Sequence, residues 1–276
     1  MAEPSHAPPA VLRLLDLGKE DDGEDLTKIH QRPVFILSTG RTGTQFLAYH
    51  FDKGPDVRAL HEPVPSRGLR FWTVAYLEGA VERSMMRRTL RRYRTGFFDG
   101  MTESTYVESN NFLAGFAEAL IEEFSQPTLI HVVRDPRTYV RSAINNGAAS
   151  GLKGLVNRFV EFAHLDLDRE ADHPAILRSA RYWTLLNQHL LRVGEGYPGY
   201  SSFKYEDLFD GGSDEFARLV ELVGGGSQLL DAAGDDGRVN RSPQDLLPSW
   251  NEWSATQQLS VIDTCGDLMA RFGYEA

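Results

Sequence analysis

Two stretches set arginine beside hydroxyl-bearing residues just past an apolar run. The first is "PVFILSTGRTGTQF", residues 33–46, and the second is "LIHVVRDPRTYVRSAIN", residues 129–145. In the first, Gly40 and Gly43 free the backbone to turn its N–H groups inward. Thr39, Thr42 and Thr44 offer hydroxyls, and Arg41 adds a planar, permanently charged fork. A helix that follows such a turn contributes the positive end of its dipole. In the second, Arg134 closes the apolar run, Asp135 suits an N-cap, and Pro136 suits the first helical turn. Ser142 then lies roughly two turns into that helix. Both arrangements can hold an anion. The plainer alternatives are an ordinary strand-to-helix turn and a capped helix with solvated arginines.

The triphosphatase loop G-x-x-x-x-G-K-[ST] does not fit the first stretch. Counted from Gly40, its second glycine and its lysine fall on Gln45 and Phe46. That weighs against hydrolysis of ATP or GTP by the usual arrangement. "LHEPV", residues 60–64, places His61 and Glu62 at the end of another short strand pattern. Either side chain can take a proton from a hydroxyl. The plainer reading of Glu62 is a structural partner of Arg41.

These groups need a frame. Val34–Leu37 is apolar without alternation, as in a strand buried on both faces of a parallel sheet. Further strands are expected at 56–62, 104–109, 127–133 and 200–206. Helical patterns lie between them: after Thr44, at 111–124, after Pro136, over 174–194, from Ser213, and over 254–273 with Ser254 as cap and Gly273 beyond the end. Strands alternating with helices predict an α/β fold, three layers deep, with a central, mostly parallel sheet. Ligands are then expected at the carboxyl ends of the strands.

The 276 residues suffice for one such domain, over 32–276, behind an acidic, flexible tail at 1–31. A net charge of −10 argues against general nucleic-acid binding, which needs a basic face. The single cysteine, Cys265, excludes an internal disulfide and reads as a core filler. No apolar run approaches the ~20 residues that span a bilayer, and the N-terminus lacks a secretory pattern. The default expectation is a cytoplasmic protein without stable membrane insertion. "LDLDREADHP", 165–174, has acids and a histidine but no metal-ligand spacing. The sequence defines no oligomeric state.

Taken together, strand–"GRTGT"–helix and strand–"R-x-P-x5-S" resemble the two cofactor loops of sulfotransferases that use 3′-phosphoadenosine 5′-phosphosulfate (PAPS). "YEDL" at 205–208, "ESN" at 108–110 and the closing pattern from Trp253 extend the resemblance to bacterial-type members. Residues 64–103 and 145–198 lie outside it. The resemblance implies a P-loop-like sulfotransferase fold. It implies that Gly40, Arg41, Thr42, Gly43, Thr44 and Gln45 cradle the 5′-phosphosulfate, with Gln45 replacing a frequent second threonine. Arg134 and Ser142, eight positions apart, would bind the 3′-phosphate, and Tyr205 would lie near the adenine. Arg241 would reach the 3′-phosphate from a closing loop.

Tyrosylprotein and heparan sulfotransferases place a catalytic glutamate just after the second strand, which points to Glu62. The aryl and steroid branch uses a histidine elsewhere, so His61 stands as a second candidate. The implied reaction moves a sulfuryl group from PAPS to a hydroxyl acceptor, a small molecule, carbohydrate or lipid. It releases 3′-phosphoadenosine 5′-phosphate (PAP) and requires no metal. The competing readings are a P-loop kinase-like phosphotransferase and a non-catalytic nucleotide-binding protein. The arginine-rich "ERSMMRRTLRRYR", 82–94, reads as a solvated helix or as a lid that prefers an anionic acceptor. Phe71, Trp72 and Tyr76 read as core or as acceptor-pocket wall.

Overall fold

Each continuous apolar run forms a strand because both of its faces are covered. The computed structural model describes residues 23–64, 68–147, 173–209, 214–224, 226, 228–231 and 246–275. Strands β1 (Arg32–Leu37), β2 (Val57–His61), β3 (Thr105–Ser109), β4 (Thr128–Val133) and β5 (Tyr200–Lys204) form one sheet in the order β2-β3-β1-β4-β5. Every pairing is parallel. The helices are α1 (Thr44–Phe51), α2 (Leu69–Leu77), α3 (Arg83–Arg94), α4 (Ala117–Glu123), α5 (Pro136–Asn145), α6 (Pro174–Glu195), α7 (Tyr205–Phe209), α8 (Asp214–Val223), α9 (Gln228–Asp231) and α10 (Ala255–Arg271).

Side chains alternate across the sheet and divide the core in two. Phe35, Leu37, Tyr106, Leu129 and Val133 point to one face, under α2 to α6 and α10. Val34, Ile36, Val107, Ile130 and Val132 point to the other, under α1 and α8. The result is a three-layer α/β fold with an all-parallel sheet. Cys265 fills the interface of α10 with α6, and burial pushes its thiol up to about 12. Among the described residues no helix is long and apolar enough to cross a membrane.

Ahead of β1, Leu26 is buried in the first core within a 3-10 turn, Leu26–Lys28. The first 22 positions of the expected tail lie outside the described residues, as do Arg241 and most of 165–174.

Two segments differ from their sequence patterns. The helix expected over 111–124 is a 3-10 helix over Asn111–Phe116 and only then α-helical. Asn110 caps it by accepting from the Phe112 N–H, and Gly115 lies so close to Thr73 that a Cβ would fall 2.7 Å from its methyl. Tertiary packing against α2 sets that tighter path. Of the α3 arginines, Arg88 and Arg92 are exposed, as on a solvated helix, whereas four others are held in ion pairs. Arg83, Arg87 and Arg91 pair with Glu118, Glu122 and Glu123 of α4. Arg94 is fully buried, with its Nη2 2.6 Å from both Glu108 carboxylate oxygens. Trp72 is core, whereas Phe71 and Tyr76 pack partly buried at its edge.

Candidate functional site

The chain leaves β1 toward β3 and β2 on one side and returns through β4 to β5 on the other. The crevice at such a reversal, outside the carboxyl ends of the strands, is where open α/β sheets bind ligands. The loops that follow β1 and β4 meet there.

In the β1 loop, Gly40, Arg41 and Gly43 all have positive φ, at 82°, 59° and 73°. For Arg41 this left-handed conformation carries strain that its surroundings must hold. Part of the hold comes from Ser38, which is fully buried. Its Oγ accepts from the Gly40 N–H at 3.0 Å and from the Thr42 hydroxyl at 2.8 Å. Gly43 is fixed by a second demand: a Cβ there would sit 2.6 Å from the Phe209 ring. Gly43 is also the N-cap of α1 and supplies no side-chain cap, so the first amides of α1 face the loop. Gln45 is exposed, in the first turn of α1.

The β4 loop locks onto the β1 loop. Arg134 donates from Nη1 to the Arg41 carbonyl at 2.6 Å and from Nε to Thr138 Oγ1 at 3.0 Å. Arg41 donates from Nε to Ser142 Oγ at 3.0 Å. The Arg134 guanidinium lies 4.4 Å from the centre of the Tyr205 ring. Burial, and then repulsion from Arg134, hold the Arg41 guanidinium below its ordinary pKa. Two converging cations, each partly out of water, are a site whose charge favours an anion.

Several supports carry no sequence signature. Trp183 of α6 donates from its indole N–H to the Arg134 carbonyl at 2.8 Å. Glu206 accepts from the Asp135 N–H at 3.1 Å and from the Tyr274 hydroxyl at 2.7 Å. The "YEDL" segment therefore serves twice: Tyr205 lies against Arg134, and Glu206 secures the turn after β4. Asp135 caps α5 as expected, accepting from the Arg137 N–H at 2.8 Å.

His61 and Glu62 stand two strands away, at the end of β2. Two strand spacings put this end about 10 Å from the end of β1. Glu62 has φ 43°, a strained value for a residue with a Cβ, and its N–H donates to the Ser109 carbonyl at 3.2 Å. His61 Nδ1 lies 3.0 Å from that same carbonyl, so Nδ1 carries the proton and Nε2 faces Glu62 Oε1 at 3.8 Å. Both side chains are partly open to solvent.

Arg70 of α2, absent from the sequence expectations, completes this corner. Burial lowers its pKa, and Tyr182, Tyr139 and Glu62 oppose that shift electrostatically. Tyr139 and Tyr182 are buried, which raises both phenols and keeps them neutral. A carboxylate near a cation, beside neutral phenols, can accept a proton from an incoming hydroxyl.

No protein-family model matches the chain, and no curated protein matches it by sequence. Solved structures do resemble it. It superposes on the sulfotransferase STF9 of Mycobacterium avium with a TM-score of 0.58 at 15% identity, over 99% of this chain and 88% of that one. The sulfotransferase domain of the curacin biosynthetic pathway gives 0.54 at 14% identity, over 89% and 98%. The sulfotransferase domain of the Synechococcus PCC 7002 olefin synthase gives 0.50 at 18% identity, over 92% and 99%. The fold is therefore that of bacterial sulfotransferase domains.

Proposed function

We propose that this chain, built on the sulfotransferase fold, transfers a sulfuryl group from PAPS to a hydroxyl acceptor. The observation that carries the reading is the junction of the two loops. Arg41, Arg134 and Ser142 meet through side-chain and carbonyl bonds of 2.6–3.0 Å, with Glu62 across the same edge of the sheet. One loop suits the reacting phosphosulfate, and the other suits the 3′-phosphate that distinguishes this donor from ATP.

In the proposed reaction the acceptor oxygen attacks sulfur as its proton passes to the Glu62 carboxylate. The bond from sulfur to the 5′-phosphate oxygen breaks, and PAP leaves. Charge develops on that leaving oxygen. Arg41 and the amides that open α1 are placed to stabilise it, as pre-set donors do at a developing oxyanion. Arg134 and Ser142 take the 3′-phosphate, and Tyr205 offers an aromatic face to the adenine. In the bound state Ser142 exchanges or shares its bond to Arg41. Arg70 sets a cation in the field of Glu62, and His61 holds its Nε2 toward the same carboxylate.

The test is paired. PAP should raise the melting temperature more than ADP with magnesium does, because only PAP carries a 3′-phosphate. Glu62→Gln should abolish transfer from PAPS while PAP affinity stays within a few-fold of wild type. A larger shift with ADP and magnesium would favour a kinase-like phosphotransferase. Wild-type turnover in Glu62→Gln would remove Glu62 as the base.

A further inference from the structure

The turn that ends α10 places Tyr274. Gly273 has φ 69°, the left-handed conformation that commonly closes a helix. Its N–H donates to the Ala270 carbonyl at 3.0 Å, and the Tyr274 N–H donates to the Met269 carbonyl at 2.8 Å. Lys204, the last residue of β5, holds the turn from outside. Its Nζ donates to the Gly273 carbonyl at 3.1 Å and lies 4.9 Å from the centre of the Tyr274 ring. The Tyr274 hydroxyl lies 3.4 Å from the carbonyl of Val133, the last residue of β4. The chain just past α10 thus sits at the carboxyl ends of β4 and β5.

Two aromatic residues of this turn back the two groups that grip one peptide unit. That unit joins Arg134 to Asp135. It is planar, so holding its two polar ends fixes its orientation. Trp183 donates to its C=O at 2.8 Å, and Glu206 Oε1 accepts from its N–H at 3.1 Å. Phe272 packs edge-on to Trp183, 6.1 Å between ring centres at 74°. Tyr274 donates its hydroxyl to the other carboxylate oxygen of Glu206 at 2.7 Å.

The last of these contacts has a specific effect. A glutamate has several rotatable bonds, and a bond to one amide leaves much of that freedom. The Tyr274 hydroxyl pins the second oxygen. Burial, and then the Glu206 charge, hold the Tyr274 phenol above its ordinary pKa, so it keeps the proton that it donates. Arg134 leaves the gripped peptide toward the β1 loop, where it meets a hydroxyl, a carbonyl and an aromatic face. With only such neutral partners, its aim depends on the backbone that carries it.

We propose that Tyr274 is a positioning residue for the donor: through Glu206 it holds the Arg134–Asp135 peptide in the orientation from which Arg134 meets the 3′-phosphate. This rests on the assignment of Arg134 to the 3′-phosphate under the proposed function, and adds a residue outside both loops. Tyr274 touches no ligand. It sets how strongly the site distinguishes PAP from adenosine 5′-monophosphate (AMP), which lacks the 3′-phosphate.

Calorimetric titration of the full chain with PAP and with AMP tests this. Wild type should bind PAP more tightly than AMP. Tyr274→Phe keeps the ring and removes only the hydroxyl. It should weaken PAP about five- to tenfold, part of what loss of Arg134 itself costs, and leave AMP within about twofold. In a Glu206→Ala background the same change should alter PAP affinity by less than about twofold, because the hydroxyl then has no carboxylate to hold. A merely structural tyrosine would weaken both nucleotides alike, and that result overturns the proposal. So does unchanged PAP affinity in Tyr274→Phe, or a loss that persists in the Glu206→Ala background. Equal binding of PAP and AMP by wild type would instead remove the 3′-phosphate assignment of Arg134, and the role of Tyr274 with it.

Discussion

Arg94 and Arg41 are both drawn out of water, and their company differs. Arg94 lies under the sheet with Glu108, which also accepts from the Tyr106 hydroxyl and the Asn110 amide, each at 2.7 Å. Burial works against the charge of Arg94, and Glu108 outweighs it, so the Arg94 pKa stands above its ordinary value. At the loop junction, burial and a second arginine act in the same direction, and the Arg41 pKa falls. The Arg134 partners are a hydroxyl, a carbonyl and an aromatic face. A buried arginine joined to a carboxylate is a closed structural unit. Two arginines driven together are held there by the fold at a cost, which a bound anion would relieve.

Breaking the closed unit should have the largest effect. Arg94→Met leaves the Glu108 carboxylate buried without its cation, and loss of one member of such a pair costs about 3–5 kcal/mol. Urea denaturation should show this as a lower midpoint. Arg94→Met with Glu108→Leu should recover part of the loss, because no charge then remains stranded. If the double variant is less stable than the single by the full cost again, the two residues do not act as a pair.

A third kind of buried group sharpens the contrast: one kept neutral by neutral partners. His131 is buried, with Nε2 2.8 Å from Asn187 Oδ1 and Nδ1 2.7 Å from the Tyr200 hydroxyl. Burial lowers its pKa from 6.5 to about 4. Between those values the unfolded chain binds a proton that the folded chain refuses. Stability is therefore full above about pH 6.5 and falls as the pH drops toward 4, by roughly 3 kcal/mol for this one group. His131→Leu should be less stable at pH 7 and have a flatter pH profile. An unchanged slope would assign the acid sensitivity elsewhere.

The open unit should respond in binding rather than in folding. Arg41→Ala and Arg134→Ala each remove charged hydrogen bonds to a bound anion, worth about 1.5–3 kcal/mol, or roughly ten- to 150-fold in PAP affinity. The unliganded melting temperature should fall far less than for Arg94→Met, because neither change strands a buried carboxylate. Calorimetric titration and a thermal melt together check this. Equal losses of stability at Arg41 and Arg94 would erase the distinction between the two regions.

The sequence exposes what is local. Val34–Leu37 and Leu129–Val133 read as buried strands because nothing in them alternates. The Asp135–Pro136 start of α5 and the Ser254–Gln257 capping box of α10 are written within four residues. Arg134 and Ser142 share one strand–helix unit, so their spacing carries the geometry. What stayed hidden is long-range. Arg70 reaches Glu62 only after α2 docks, and Glu206 meets the Asp135 amide 71 positions away. The arginines of α3 looked solvated because their glutamates arrive on α4, 32 to 36 positions later for Glu123.

That α3–α4 ladder gives the smallest predicted effect and the limit of the comparison. It contains arginine–carboxylate pairs like Arg94–Glu108, yet Arg83 is 49% exposed and its partner Glu122 28% exposed. Water screens both charges before they meet, so the pair resembles a surface ion pair, typically worth 0–1 kcal/mol. Arg83→Ala should therefore cost under about 1 kcal/mol, and the cost should shrink further in molar salt, where the screening length drops to about 3 Å. Arg94→Met should keep most of its cost under the same salt. If both lose it equally, burial is not what separates them, and the closed unit under the sheet owes its strength to something other than exclusion of water.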